Sequence, residues 1–147
     1  MNGVELFLLG RTLMKIGEDA LPTQGIEGGG HRAVMVVASD ILENADSTVG
    51  EIAGRTGLPQ SAVSTAVARL REAGSIVATV DPADRRRTLI RQADKISARV
   101  AEVRATTIDA ALEEALGADD DDAISEVLAA LETLARHLGP SRERDLG

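Results

Sequence analysis

Cysteine is missing from the 147 residues, which excludes disulfides, thiolate metal sites and thiol-based redox or peroxide sensing within the chain. Tryptophan and tyrosine are missing too, and Phe7 is the single aromatic residue. Without a stacking platform, single-stranded nucleic acid and the RNA-binding modules that depend on stacked bases are poor matches. The longest apolar run, AVMVVA, is far short of the ~20 residues of a membrane span, and the opening residues lack the basic region of a secretory signal. A cytoplasmic location with no membrane partner is therefore expected. Catalytic groupings are as scarce. No serine sits in a nucleophile elbow or a triad context, and Glu113 and Glu114 are neighbours that point in different directions on a helix. Neither an enzyme nor a cofactor is expected. His31 and His137 lie far apart, so no metal site is expected from them. The acidic run Asp119 to Asp122 lacks the glycine and spacing of a calcium loop and reads as the start of a helix, where acids meet the positive end of its dipole.

What the chain has is an uneven charge. Residues 1–47 carry seven acids and three bases, residues 48–92 four acids and seven bases, and residues 93–147 thirteen acids and six bases, which gives −4, +3 and −7 and the total of −8. A basic middle between acidic ends suggests one face that meets a polyanion. Three consecutive arginines, Arg85 to Arg87, lie in IVATVDPADRRRTLIR, where two β-branched runs flank the turn cluster DPAD and read as a β-hairpin. Such arginines either solvate an edge strand or aim at phosphate or a DNA groove. Alternation along a regular strand would send Arg85 and Arg87 to one side and Arg86 to the other.

Before the hairpin, VGEIAGRTGLPQSAVSTAVARLREAG divides into two short helical patterns. Val49, Ile52 and Ala53 mark the first, Gly57 suits a left-handed stop, and Pro59 fits the first turn of the second. On that second helix, residues 59–73, Val63, Val67 and Leu70 share a buried face. Gln60, Ser61, Ser64, Thr65, Ala68 and Arg69 lie elsewhere around it. Two helices, a tight turn and an outward row of hydroxyl and amide groups make a helix-turn-helix pattern suited to the major groove. By itself the pattern also fits a plain helical hairpin with a polar face. The arginine hairpin directly after it favours DNA.

The rest is helical. VELFLLGRTLMKIGEDAL places Leu6, Leu9, Leu13, Ile16 and Ala20 on one stripe, widened by Phe7 and Met14. PTQGIEGGG reads as a linker rather than a phosphate cradle, and HRAVMVVASDILENAD begins another helix. Residues 93–116 carry Ile96, Val100, Val103, Thr107 and Ala111 on one long helical stripe, and residues 123–138 carry Ile124, Val127, Leu128, Leu131, Leu134 and Leu138 on another. A small winged-helix core cannot cover these faces, which points to a dimerisation layer, with packing of all three helices inside one chain as the alternative.

From Val49 to Arg91 the chain resembles the MarR-type winged-helix transcription regulators, and toward the ends only the helix order continues the likeness. The most specific piece is DPADRR after RLREAG. In that family an aspartate and an arginine two residues on shape the wing, and they fall here on Asp84 and Arg86. The resemblance implies that Arg86 reaches into the minor groove, braced by Asp84, while Arg85 and Arg87 meet phosphates or solvent. Thr65 and Ala68 stand where the family often has a basic and an acidic residue, so no operator sequence carries over. After the wing Gln92, Ala93 and Ile96 depart from the family's usual Leu-Thr and glycine.

The expected fold class is mainly α with a small β-hairpin wing: a winged helix-turn-helix domain plus a helical dimerisation layer. Residues 1–147 form a single chain unit, with residues 32–92 as the DNA-binding part and residues 1–21 and 93–147 as the dimerisation part. The expected function is a homodimeric transcription regulator, a repressor, on double-stranded DNA with a pseudo-palindromic operator. Its expected DNA contacts are Thr48, Gln60, Ser61, Ser64, Thr65, Arg69, Asp84, Arg85, Arg86 and Arg87. A small-molecule effector is an open partner. The alternative function is a winged-helix protein-interaction module without significant DNA binding.

Overall fold

The fold is built where local signals and apolar spacing agree, as seen in a computed structural model that describes residues 1–22, 30–117 and 121–139. Among them are helices α1 (Gly3–Ala20), α2 (His31–Glu43), α3 (Val49–Thr56) and α4 (Gln60–Glu72), strands β1 (Ile76–Val80) and β2 (Thr88–Gln92), and helices α5 (Ala98–Ala105), α6 (Asp109–Leu116) and α7 (Asp121–Leu138). The fold is therefore mostly helical with one antiparallel hairpin, as expected. The chain divides into two compact units, Thr23–Ala105 and the pair Met1–Pro22 with Thr106–Gly147.

In the unit Thr23–Ala105, α2, α3, α4 and the hairpin enclose one core. Val34, Val37 and Ile41 come from α2, Ile52 from α3, Val63, Ala66 and Leu70 from α4, Ile76 from β1 and Ile90 from β2. Each element thus gives its apolar stripe to the same centre. Val67, expected inside, is only half-buried, and Ala66 takes the inner position. The hairpin pairs Ile76 with Gln92 through to Val80 with Thr88. Its buried residues are Ile76 and Ile90, so two isoleucines anchor it while Val77 and Val80 stay exposed.

Two further ties hold this unit. Ser47 makes an isolated β-bridge with Ile90, its N–H donating to the Ile90 carbonyl at 3.1 Å and the Ile90 N–H donating back at 2.8 Å. The Arg55 guanidinium then donates to Asp40 Oδ1 and Oδ2 at 2.9 and 2.7 Å and to Ser47 Oγ at 2.7 Å. The hydrogen bonds with Asp40 raise the Arg55 pKa above its ordinary value. Because Asp40 is on α2, Arg55 on α3 and Ser47 on the bridge to β2, one guanidinium links three parts of the domain. Asp40→Ala is expected to lower stability by about 1–3 kcal/mol, the usual range for leaving a hydrogen-bonding group without its partner. Denaturant titration of parent and variant would measure it.

The other unit has a thinner interior. Helix α1 begins with a capping box in which Asn2 Oδ1 accepts from the Glu5 N–H at 2.9 Å and Glu5 Oε2 accepts from the Asn2 N–H at 2.7 Å. Of its described residues only Ile16 and Leu112 are buried, whereas Leu6, Phe7, Leu8, Leu9, Met14, Leu116, Leu134 and Leu138 are exposed.

The single long helix expected over residues 93–116 is instead two. Ser97 Oγ accepts from the Val100 N–H at 3.2 Å and starts α5, which ends at Ala105. The β-branched pair Thr106 and Thr107 then separates it from α6, a break that their low helix propensity favours. Most of the glycine-rich linker, residues 23–29, lies outside the described residues, as do Asp119 and Asp120. Asp121 and Asp122 occupy the first turn of α7, the position expected for acids at a helix start. Among the described residues no helix is long and apolar enough to cross a membrane, and no cluster of three acids or histidines could hold a metal ion.

Candidate nucleic-acid interface

The interface begins at Thr48. Its Oγ1 accepts from the Glu51 N–H at 3.2 Å, while Glu51 Oε2 accepts from the Thr48 N–H at 3.0 Å, so α3 starts with a capping box. Eight residues later Gly57 ends the helix with φ 71°, a left-handed turn that a Cβ would strain. Pro59 precedes α4 as its N-cap rather than lying within its first turn. This sharp reversal brings the starts of the two helices together: the Cβ position of Gly50 lies 3.7 Å from Gln60 Nε2 and 4.0 Å from Thr48 Oγ1. Thr48 and Gln60 are therefore neighbours, although twelve positions separate them in the chain.

Along α4 the inward residues Val63, Ala66 and Leu70 leave Gln60, Ser61, Ser64, Thr65 and Ala68 exposed. Thr65 Oγ1 donates to the Ser61 carbonyl at 2.9 Å, which leaves its methyl group and an oxygen lone pair for an incoming partner. Ser64 supplies a hydroxyl that can donate or accept. Such short side chains allow close approach to base edges. Arg69, one turn beyond Thr65, is only half-exposed, with its Nη1 3.4 Å from the Cβ position of Gly30. It lines a groove of about 360 Å³ with Gly30, Ala33, Val34, Ser61, Ala62, Thr65 and Ala66.

The wing is shaped by two aspartates acting on backbone. Asp81 Oδ1 accepts from the Ala83 N–H at 2.9 Å, and Asp84 Oδ1 accepts from the Arg86 N–H at 3.0 Å. Asp84 thus meets Arg86 through the main chain, and the Arg87 N–H donates to the Asp84 carbonyl at 2.9 Å to close the turn. Arg85 and Arg86 belong to this turn and Arg87 precedes β2, so strand alternation does not govern them. Arg85 and Arg86 are exposed and make no ion pair among the described residues. Arg87 differs: its Nη2 lies 2.8 Å from Glu51 Oε1 and its Nη1 3.9 Å from Asp81 Oδ2.

Sequence reasoning placed the exposed row of α4 and the wing arginines. It passed over Glu51 and the Asp40, Arg55 and Ser47 clamp. The Thr48-Val49-Gly50-Glu51 spacing is a capping-box signature that could have singled out Glu51, whereas nothing local marks the clamp.

A comparison with curated proteins finds no significant match. Residues 40–87, from the end of α2 to the root of the wing, match the sequence model of the MarR family. Among solved structures, the apo form of MarR from E. coli is similar over 91% of this chain and 96% of its own, at 16% identity and a TM-score of 0.60. CouR from Rhodococcus jostii RHA1, bound to p-coumaroyl-CoA, is similar over 90% of each chain at 25% identity and a TM-score of 0.53. FabT from Streptococcus pneumoniae, in complex with DNA, is similar over 90% of this chain and 91% of its own at 16% identity and a TM-score of 0.53. The matched segment carries the MarR-family sequence pattern, and the likeness to these solved structures shows a shared winged-helix fold.

Proposed function

We propose that the chain is a homodimeric, cytoplasmic transcription regulator that binds double-stranded DNA at a pseudo-palindromic operator and acts as a repressor. The observation that carries this reading is the exposed row Gln60, Ser61, Ser64 and Thr65 on α4, in the same compact unit as a wing that presents Arg85 and Arg86. In this reading α4 enters the major groove, where its hydroxyl and amide groups meet base edges. Arg86 enters the minor groove, whose negative potential attracts a guanidinium. Residues 32–92 make the DNA-binding part, with Thr48 at the backbone and Asp84 holding the wing turn.

Residues 1–21 and 93–147 are assigned to the dimer. Leu6, Phe7, Leu8 and Leu9 on α1 and Leu134 and Leu138 on α7 are exposed, and a second copy of the chain would cover them. Support for DNA as the partner comes from the likeness to FabT, solved in complex with DNA. Support for a small-molecule effector comes from the likeness to CouR, solved with p-coumaroyl-CoA.

The test is a mobility shift of the intact protein with duplex from upstream of its own gene, beside sedimentation of the free protein. Retention of that duplex over a scrambled one, by a protein that sediments as a dimer at micromolar concentration, is expected. Equal, salt-labile retention of both would support the protein-interaction alternative, and a monomer would remove the basis for a palindromic site.

A further inference from the structure

The third arginine of the wing is held by the helix-turn-helix. Arg87 Nη2 is 2.8 Å from Glu51 Oε1, across thirty-six positions of sequence, while the other oxygen of Glu51 caps the start of α3. One carboxylate therefore touches both the first turn of α3 and the root of the wing. Both partners are nearly half exposed, 46% and 45%, and such a pair adds little to global stability. Its consequence lies elsewhere. The hairpin is anchored in the core by Ile76 and Ile90 near one end, and residues 82–88 beyond are all exposed. Among the described residues, beside the turn's own hydrogen bonds and Asp81, it is the Arg87 side chain on Glu51 that ties this outer part to another element.

We propose that Glu51 is a positioning residue for the wing, which it holds through Arg87, so that Arg87 serves as a strut while Arg85 and Arg86 remain free to face the duplex. The effect on DNA rests on the function proposed above, whereas the effect on the wing itself does not.

The two explanations of Glu51 differ in sign. As a plain negative charge near a polyanion it would oppose binding, and its neutralisation would tighten the complex. As a positioning residue its neutralisation would loosen the wing and weaken the complex. Glu51→Gln separates them because glutamine still serves in a capping box, so α3 keeps its start while the ion pair disappears.

The absence of cysteine allows a single label to be placed at the wing by Ala83→Cys, an exposed turn position. Without DNA, Glu51→Gln should lower the steady-state anisotropy of a fluorophore there, and Arg87→Gln should lower it equally. With operator duplex, Glu51→Gln should weaken binding about threefold to tenfold, and in an Arg87→Gln background it should cause no further weakening. Unchanged anisotropy, or a Glu51→Gln protein that binds as tightly as the parent or tighter, would overturn the proposal. Weakened binding by Arg86→Ala alongside unaltered binding by Glu51→Gln would leave the DNA-binding function standing and remove only the strut. If the parent retains no duplex while the anisotropy drop persists, the strut stands and the DNA-binding reading falls.

Discussion

Arg86→Ala is expected to weaken operator binding roughly 10- to 100-fold, since a charged hydrogen bond contributes about 1.5–3 kcal/mol and each 1.4 kcal/mol is tenfold. Arg86 is exposed at the wing turn and makes no ion pair among the described residues, so its charge is available to DNA. The salt dependence should flatten as well, with the slope of log affinity against log salt falling by about 0.9 for each phosphate charge that is no longer neutralised. Asp84→Ala should weaken binding by another route, because its carboxylate fixes the turn through the Arg86 N–H and not through the guanidinium. Isotherms at several salt concentrations would separate the two: a flattened slope for Arg86→Ala, a weakened complex with parental slope for Asp84→Ala.

Ile52→Ala is expected to lower stability by about 2–5 kcal/mol, the usual range for truncating a buried isoleucine and leaving a cavity. Ile52 is 0% exposed and comes from α3 into a core shared with α2, α4 and both strands. Against a typical total of about 5–15 kcal/mol, such a change would leave the unit Thr23–Ala105 marginal. Because Ile52 points away from the exposed face of α4, the folded fraction of the variant should still bind the operator with parental affinity. Chemical denaturation followed by circular dichroism would give the first number, and DNA titration corrected for folded fraction the second. A variant as stable as the parent would mean that the packing around Ile52 is misdescribed.

The helix-turn-helix was legible because its signals are local. Gly57 and Pro59 bracket the turn, and Val63 and Leu70 mark the inner side of α4, although the spacing points to Val67 where the smaller Ala66 is the residue buried. The wing was legible for a similar reason, since Asp81, Pro82 and Asp84 are turn residues, and the two aspartates act on backbone two positions on. What could not be read depends on distance along the chain. The partner of Arg87 is on α3, and the clamp on Ser47 joins residues from α2, α3 and the strand bridge. The break at Thr106 and Thr107 was hidden by an apolar period that runs on through it, because spacing alone does not register the low helix propensity of a β-branched pair. The division of labour among three adjacent arginines was least legible of all. Identical side chains in consecutive positions carry no sequence signal for which one finds a carboxylate.

Placement of α4 in the major groove is tested by guanine methylation interference on the operator duplex, because methylated N7 atoms lie in that groove. The expected result is interference in two segments about one helical turn apart, roughly 34 Å, as a symmetric dimer requires. Substituting Ser64 or Thr65 should change which guanines interfere. A stable specific complex in which no guanine N7 interferes, on an operator that contains guanines in both half-sites, would contradict it.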